Sequence, residues 1–177
     1  MTKQELREHM RTRLPLSPAA RTEKSKRICE RITRIAAWHS ARTVILFAPQ
    51  TREPDVELLW KFGAGRRFAY PRIEGETLGL YAVESSSELK PTRKNLREPL
   101  ANPEMRIPMG SVDLVLIPGV AFTEEGLRCG RGGGYYDRLL AALPAAAVKV
   151  GVCFTEQLVE ELPMENHDIE VDMVIAE

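Results

Sequence analysis

Val112-Asp-Leu-Val-Leu-Ile117, then Pro118-Gly119-Val120-Ala-Phe122, then Arg128-Cys-Gly-Arg-Gly-Gly-Gly-Tyr-Tyr-Asp137 is the stretch that carries the fold. Its first part is an almost unbroken apolar run of strand length. Such runs belong to strands covered on both faces, because a half-exposed strand alternates. Pro118 and Gly119 stop it. Behind the glycines, Tyr135 to Leu143 reads as a helix. Two more runs of the same kind, Thr43 to Ala48 and Val148 to Phe154, flank this unit at a distance. A helix from Pro18 to Trp38 precedes the first, with Ile28, Ile32, Ile35 and Ala36 toward the core and Ser17-Pro18 as its N-cap and first residue. Strands alternating with helices predict an α/β fold, a three-layer α/β/α arrangement around a mainly parallel sheet, in a single domain over residues 1–177.

The remaining elements are shorter. Thr2 to Leu14 is a predicted helix with capping-box spacing at Thr2 and Glu5 and an apolar row at Leu6, Met10 and Leu14. Asp55 to Phe62 reads as a short helix ended by Gly63 and Gly65. Arg67 to Tyr70 reads as a strand stopped by Pro71, and Leu78 to Val83 as another. Glu84 to Gly110 is a long irregular excursion over the surface. Thr155 to Glu161 reads as a short helix and Val171 to Ala176 as the last strand.

Composition limits the function. Lys+Arg and Asp+Glu each number 25, so the net charge is +0. A protein that grips nucleic acid through its phosphates usually carries a basic excess, so none is expected as a partner. No apolar run reaches the roughly 20 residues of a membrane span. The opening MTKQELREHM is polar rather than signal-like, so no membrane association and a cytoplasmic location are expected. The 3 cysteines form no C-x-x-C pair, which leaves a disulfide framework and a zinc site without support.

The glycine segment is the chemical centre of the sequence. Gly130, Gly132, Gly133 and Gly134 lie between a strand region and a helix. Glycine allows close backbone approach, and successive N–H groups at a helix N-terminus make an anion site. Arg128 and Arg131 add guanidinium forks that match phosphate. The pattern is neither a Walker A loop nor a G-x-G-x-x-G fingerprint, since Tyr135 stands where the last glycine would be. A plain glycine-rich turn is the alternative.

Asp137, in the first helical turn, would repel a bound phosphate unless a divalent cation bridged them. It could equally cap the helix or pair with Arg138. A second acidic cluster, Glu165-Asn-His-Asp-Ile-Glu-Val-Asp172, would place Asp168, Glu170 and Asp172 on one face of an extended backbone. His167 reads as a local hydrogen-bonding residue or, alternatively, a base or ligand. Cys129 sits between arginines that favour its thiolate, but no partnered base makes it a nucleophile. Lys3 and Arg7 read as basic residues on an exposed helix face, and Glu53 as a solvated loop carboxylate.

Together these segments resemble the signature of the 5-formyltetrahydrofolate cyclo-ligase (5,10-methenyltetrahydrofolate synthetase) family. The residues that carry the likeness are Asp113 to Phe122, Arg128 to Arg138, Lys3-Gln-Glu-Leu-Arg7, Tyr70-Pro-Arg72 and His167 to Val174. The chain departs from the family at Cys129, where a larger apolar residue is common, and Gln50 to Asp55 matches only loosely. The resemblance implies ATP as co-substrate, Mg²⁺ as cofactor, and cyclisation of 5-formyltetrahydrofolate to 5,10-methenyltetrahydrofolate with release of ADP and phosphate. It implies that Lys3, Arg7, Arg128, Gly130, Arg131, Gly132, Gly133, Gly134, Tyr135 and Tyr136 contact ATP. Of these, Arg131, Gly132, Gly133, Gly134 and Tyr135 would also meet the folate, together with Glu53 on the pterin and Tyr70 lining the pocket. Arg131 would be the catalytic stabiliser, and Asp137 and Asp168 would hold Mg²⁺. The implied partners are small molecules alone, for a monomer or weak homodimer. A sugar-phosphate isomerase and a non-catalytic nucleotide or folate binder are the rival readings.

Overall fold

Alternate residues of the apolar runs bury on opposite faces of one sheet. Leu114 and Leu116 pack into one core and Val115 and Ile117 into another, as do Val44 and Ile45. The computed structural model describes residues 2–13, 16–92, 96–165 and 168–177. Its helices are α1 (Lys3–Arg13), α2 (Pro18–Ile32), α3 (Ala36–Ser40) and α4 (Tyr135–Ala142). Its strands are β1 (Thr43–Ile45), β2 (Arg67–Glu74), β3 (Thr77–Ala82), β4 (Lys90–Pro91), β5 (Arg97–Glu98), β6 (Leu114–Ile117), β7 (Ala121–Phe122), β8 (Arg128–Cys129), β9 (Val148–Cys153) and β10 (Met173–Ala176). The main sheet has the order β10-β9-β6-β1-β2-β3. Every pair in it is parallel except β2–β3.

Residues of α2 and α3 cover one face through Ile28, Ile32 and Trp38, and α4 covers the other through Leu139 and Leu140. The expected three-layer α/β/α architecture is therefore present. Burial on both sides is why the strands carry no polar alternation.

Several expected boundaries shift. The helix from Pro18 does not reach Trp38: it ends at Ile32, and Ile35 is extended before α3 begins. In one continuous helix Trp38 would lie about 240° around from Ile32, off the apolar stripe. The break instead buries Trp38 against Phe68, at a centroid distance of 6.2 Å, and leaves Ala36 exposed rather than in the core. Pro71 does not stop its strand, because β2 runs through it to Glu74. Phe68 O accepts from Val83 N, so by the period of two Pro71 faces away from β3, and β1 has already ended on that side.

The helix over 55–62 is a 3-10 helix, Val56–Phe62, capped by Asp55. The helix after Thr155 is one 3-10 turn, Thr155–Gln157, rather than a run to Glu161. The 84–110 excursion contains the β4–β5 hairpin and three 3-10 turns. It is anchored inside by Leu89, Glu98 and Ile107, so it is not wholly a surface segment. Leu14 and His167 lie outside the described residues.

The chain passes from β1 to β2 and β3 on one side of the sheet, and from β6 to β9 and β10 on the other. The order therefore reverses between β1 and β6. Crevices at the carboxyl ends of strands beside such a reversal are where ligands bind in open α/β sheets.

Candidate active site

One cavity of about 860 Å³ opens at that point. Phe47 and Ala48 reach it directly after β1, as do Pro118 and Gly119 after β6. The other walls come from the first turns of α1, the glycine loop, the start of α4, Glu165, Asp168 and Ile169, and the β2, β3 and β5 strands.

The glycine loop enters α4 in a conformation that needs glycine. Gly132 has φ 100° and Gly134, the N-cap, has φ 65°. At Gly130 the missing side chain makes room for Arg128, since an added Cβ would fall 2.7 Å from Arg128 Nη1.

Charge around the cavity is organised in pairs. Arg131 Nη2 donates to Glu53 Oε1 at 2.7 Å, and Gln50 N donates to the other oxygen at 2.9 Å. Glu53 is buried rather than solvated. Arg128 Nη2 donates to Asp137 Oδ1 at 2.6 Å, so Asp137 pairs with Arg128 and not Arg138. Arg138 instead donates to the carbonyls of Glu76 and Gly133. Lys3 Nζ donates to Asp168 at 2.6 Å and Glu165 at 2.7 Å. Arg7, one turn on from Lys3, donates through Nε to Gly130 O at 2.8 Å and so ties α1 to the loop. Burial pulls the Lys3 ammonium down, but the hydrogen bonds to Asp168 and Glu165 outweigh it and leave its pKa above the ordinary lysine value.

Lys3, Arg7, Glu53, Arg128, Gly130, Arg131, Gly132, Gly133, Gly134, Tyr135, Tyr136, Asp137 and Asp168 all line this cavity. Tyr70 does not. It is wholly buried in the core, where its hydroxyl accepts from Trp60 Nε1 at 2.9 Å, and its neighbour Pro71 lines the wall instead. The cluster expected on one face at 168–172 is also divided. Asp168 meets Lys3, Glu170 is exposed, and Asp172 accepts from Lys149 N. Cys129 is buried and its thiol is pushed up by burial, although Arg7, Lys3 and Arg128 pull the other way, so the arginines do not make it a thiolate.

Arg128 is the most informative of these groups. Its side chain is 3% exposed, and its Nε is buried without a hydrogen-bond partner among the described residues. A buried unsatisfied donor on a cation facing a cavity suits an anionic ligand. The whole chain, residues 1–177, matches the family model described as the 5-formyltetrahydrofolate cyclo-ligase family.

The chain belongs to the 5-formyltetrahydrofolate cyclo-ligase family.

Among relatives, the 5-formyltetrahydrofolate cyclo-ligase of Escherichia coli K12 is 32% identical over 172 residues, covering 93% of each chain. That of Mus musculus is 28% identical over 99% of this chain and 93% of its own. The solved 5,10-methenyltetrahydrofolate synthetase of Aquifex aeolicus superposes with a TM-score of 0.86 at 32% identity, covering 99% of this chain and 90% of that one. The fold of the cyclo-ligase family thus accounts for the layered sheet described above.

The contacts among Arg21, Gln50 and Glu53, and the positions of Arg97 and Glu98 on the cavity wall, had no sequence motif to announce them. The only available signal was the row Arg21, Ser25, Cys29, repeating every four residues beside the apolar stripe of α2.

Proposed function

We propose that the protein closes 5-formyltetrahydrofolate to 5,10-methenyltetrahydrofolate at the expense of ATP, releasing ADP and phosphate. The observation that carries this reading is the gathering of the glycine loop, Lys3, Arg7, Arg128 and Arg131 around one cavity that also contains the buried carboxylate Glu53.

The N5-formyl group is an amide, so its carbon is a poor electrophile and its oxygen a poor leaving group. Transfer of the γ-phosphoryl group to that oxygen turns it into a phosphate ester. N10 then attacks the carbon, and the oxygen leaves with the phosphate. Such a reaction asks the protein for positioning and charge neutralisation, not for a covalent nucleophile.

In this reading Lys3 and Arg7 hold the nucleotide phosphates from α1, and Arg128 adds positive charge to the same wall. Arg131 stabilises charge on the migrating phosphoryl group, while Gly130, Gly132, Gly133 and Gly134 let the backbone approach it. Tyr135 and Tyr136 bound the space shared by nucleotide and folate. Glu53 accepts from the pterin. Asp137 and Asp168 supply hard carboxylate oxygens to the same cavity, which fits Mg²⁺, and these two residues would hold it. When bound, Mg²⁺ neutralises phosphate charge. Small molecules are the partners, the protein acts as a monomer or weak homodimer in the cytoplasm, and residues 1–177 form one catalytic domain. No helix among the described residues is long and apolar enough to cross a membrane.

Incubation of the purified protein with 5-formyltetrahydrofolate, ATP and Mg²⁺ is the test. The near-ultraviolet absorbance of the methenyl product should grow in step with ADP. Binding of both ligands without product would leave a binder, and failure to bind either would remove the reading.

A further inference from the structure

One face of α2 is polar where it meets the loop that carries Glu53. Arg21, Ser25 and Cys29 recur at every fourth position and so share that face. Arg21 Nε donates to Glu53 O at 3.0 Å, and its Nη2 donates to Gln50 O at 3.2 Å. Ser25 is fully buried, and its hydroxyl accepts from Asp55 N at 2.9 Å. Cys29 Sγ donates to Asp55 O at 3.4 Å. Buried polar side chains need partners, and here each finds one on the backbone of residues 50–55.

That backbone decides where Glu53 points. Glu53 N donates to Gln50 O at 3.0 Å, and Gln50 N donates back to the Glu53 carboxylate at 2.9 Å. The turn therefore closes on itself, and one guanidinium fork holds the carbonyls of its first and last residues. Arg21 does not line the cavity, so any effect it has on a ligand passes through the 50–53 turn, of which Gln50 and Glu53 line the wall.

We propose that Arg21 is a positioning residue for the folate: it locks the 50–53 turn so that the buried Glu53 carboxylate faces the pterin. The proposal rests on Glu53 being the pterin acceptor. A lysine at the same place could reach one carbonyl but cannot bridge two with fixed geometry.

The experiment measures the affinity of the full chain for 5-formyltetrahydrofolate and, separately, for a non-hydrolysable ATP analogue. Arg21→Ala should weaken folate binding about tenfold, the scale seen when an outer contact that orients a ligand group is removed. Nucleotide binding should stay unchanged. Arg21→Lys should recover part of the loss. Arg27→Ala is the control, since Arg27 lies on the same helix and pairs with Glu23 at its exposed surface. In a Glu53→Gln background, Arg21→Ala should cost no further folate affinity, because the group it positions is already altered.

Equal weakening of both ligands, additive losses in the double variant, or wild-type folate affinity in Arg21→Ala would each overturn the proposal. If Arg21→Ala does not fold, Arg21→Lys decides: a folate-only loss supports the role and unchanged affinity refutes it. A wild-type protein that does not bind folate at all would instead remove the proposed function, and this inference with it.

Discussion

Arg128 and Asp137 form a buried ion pair at the root of the glycine loop, with Nη2 to Oδ1 at 2.6 Å and side-chain exposures of 3% and 16%. The pair joins the start of β8 to the first turn of α4. The segment between them is thereby held as a closed loop facing the cavity.

Breaking that pair from the acidic side leaves a buried guanidinium uncompensated. Asp137→Ala should therefore destabilise the protein by about 3–5 kcal/mol, the usual cost of stranding one partner of a buried pair. Replacing both partners with apolar residues of similar volume should restore much of it. Urea unfolding of the three proteins checks this, and equal midpoints would show that the pair contributes nothing to the fold.

Arg131 is the exposed partner of a buried carboxylate, 55% against 6%. It sits between glycines, and in the proposed reaction it would leave Glu53 for the migrating phosphoryl group. Arg131→Ala should lower turnover by about a hundredfold, the scale of removing one group aimed at developing charge. Folate affinity should fall far less. Steady-state kinetics beside equilibrium binding separates the two, and an undiminished turnover number would take Arg131 out of the mechanism.

The Lys3 pairing carries a pH signature. Its folded pKa lies above 10.5, the ordinary value, because Asp168 and Glu165 favour the ammonium more than burial opposes it. The linked stability is fully present below 10.5 and is lost as pH rises through the higher folded value. Thermal midpoints of the wild type and Lys3→Met should differ at pH 8 and converge above pH 10.5. A gap that stays constant across this range would mean that the charge of Lys3 does not matter to the docking of α1.

The thiols should be inert. Burial pushes Cys29 and Cys153 up to about 12 and raises Cys129 as well. At pH 8 a disulfide reagent should find almost no thiolate in the native protein and 3 reactive groups after unfolding. Fast native reaction at Cys129 would contradict its burial.

The layered sheet was legible because its cause is local. A run such as Leu114–Ile117 is apolar throughout only if both faces are covered, and that fact is present in four consecutive letters. The glycine loop was legible for a similar reason, since residues 130 to 134 carry backbone freedom that few other sequences need. The split between α2 and α3 was not, because Ile35 and Ala36 carry the apolar spacing of Ile28 and Ile32 past the break, and the packing of Trp38 against Phe68 is a contact across elements.

Ion-pair partners depend on topology rather than on sequence spacing. Glu53 and Arg131 are 78 residues apart, and Lys3 and Asp168 are 165 apart. What the letters alone determined is the α/β class, the cationic glycine loop and the pool of charged groups. What needed the folded chain is which carboxylate each cation holds, that Glu53 is buried while Tyr70 is sealed in the core, and that Arg21 holds the turn that carries Glu53. Periodicity records which way a residue faces on its own element, whereas contact across elements exists only once the parallel strands have brought distant loops to the same end of the sheet.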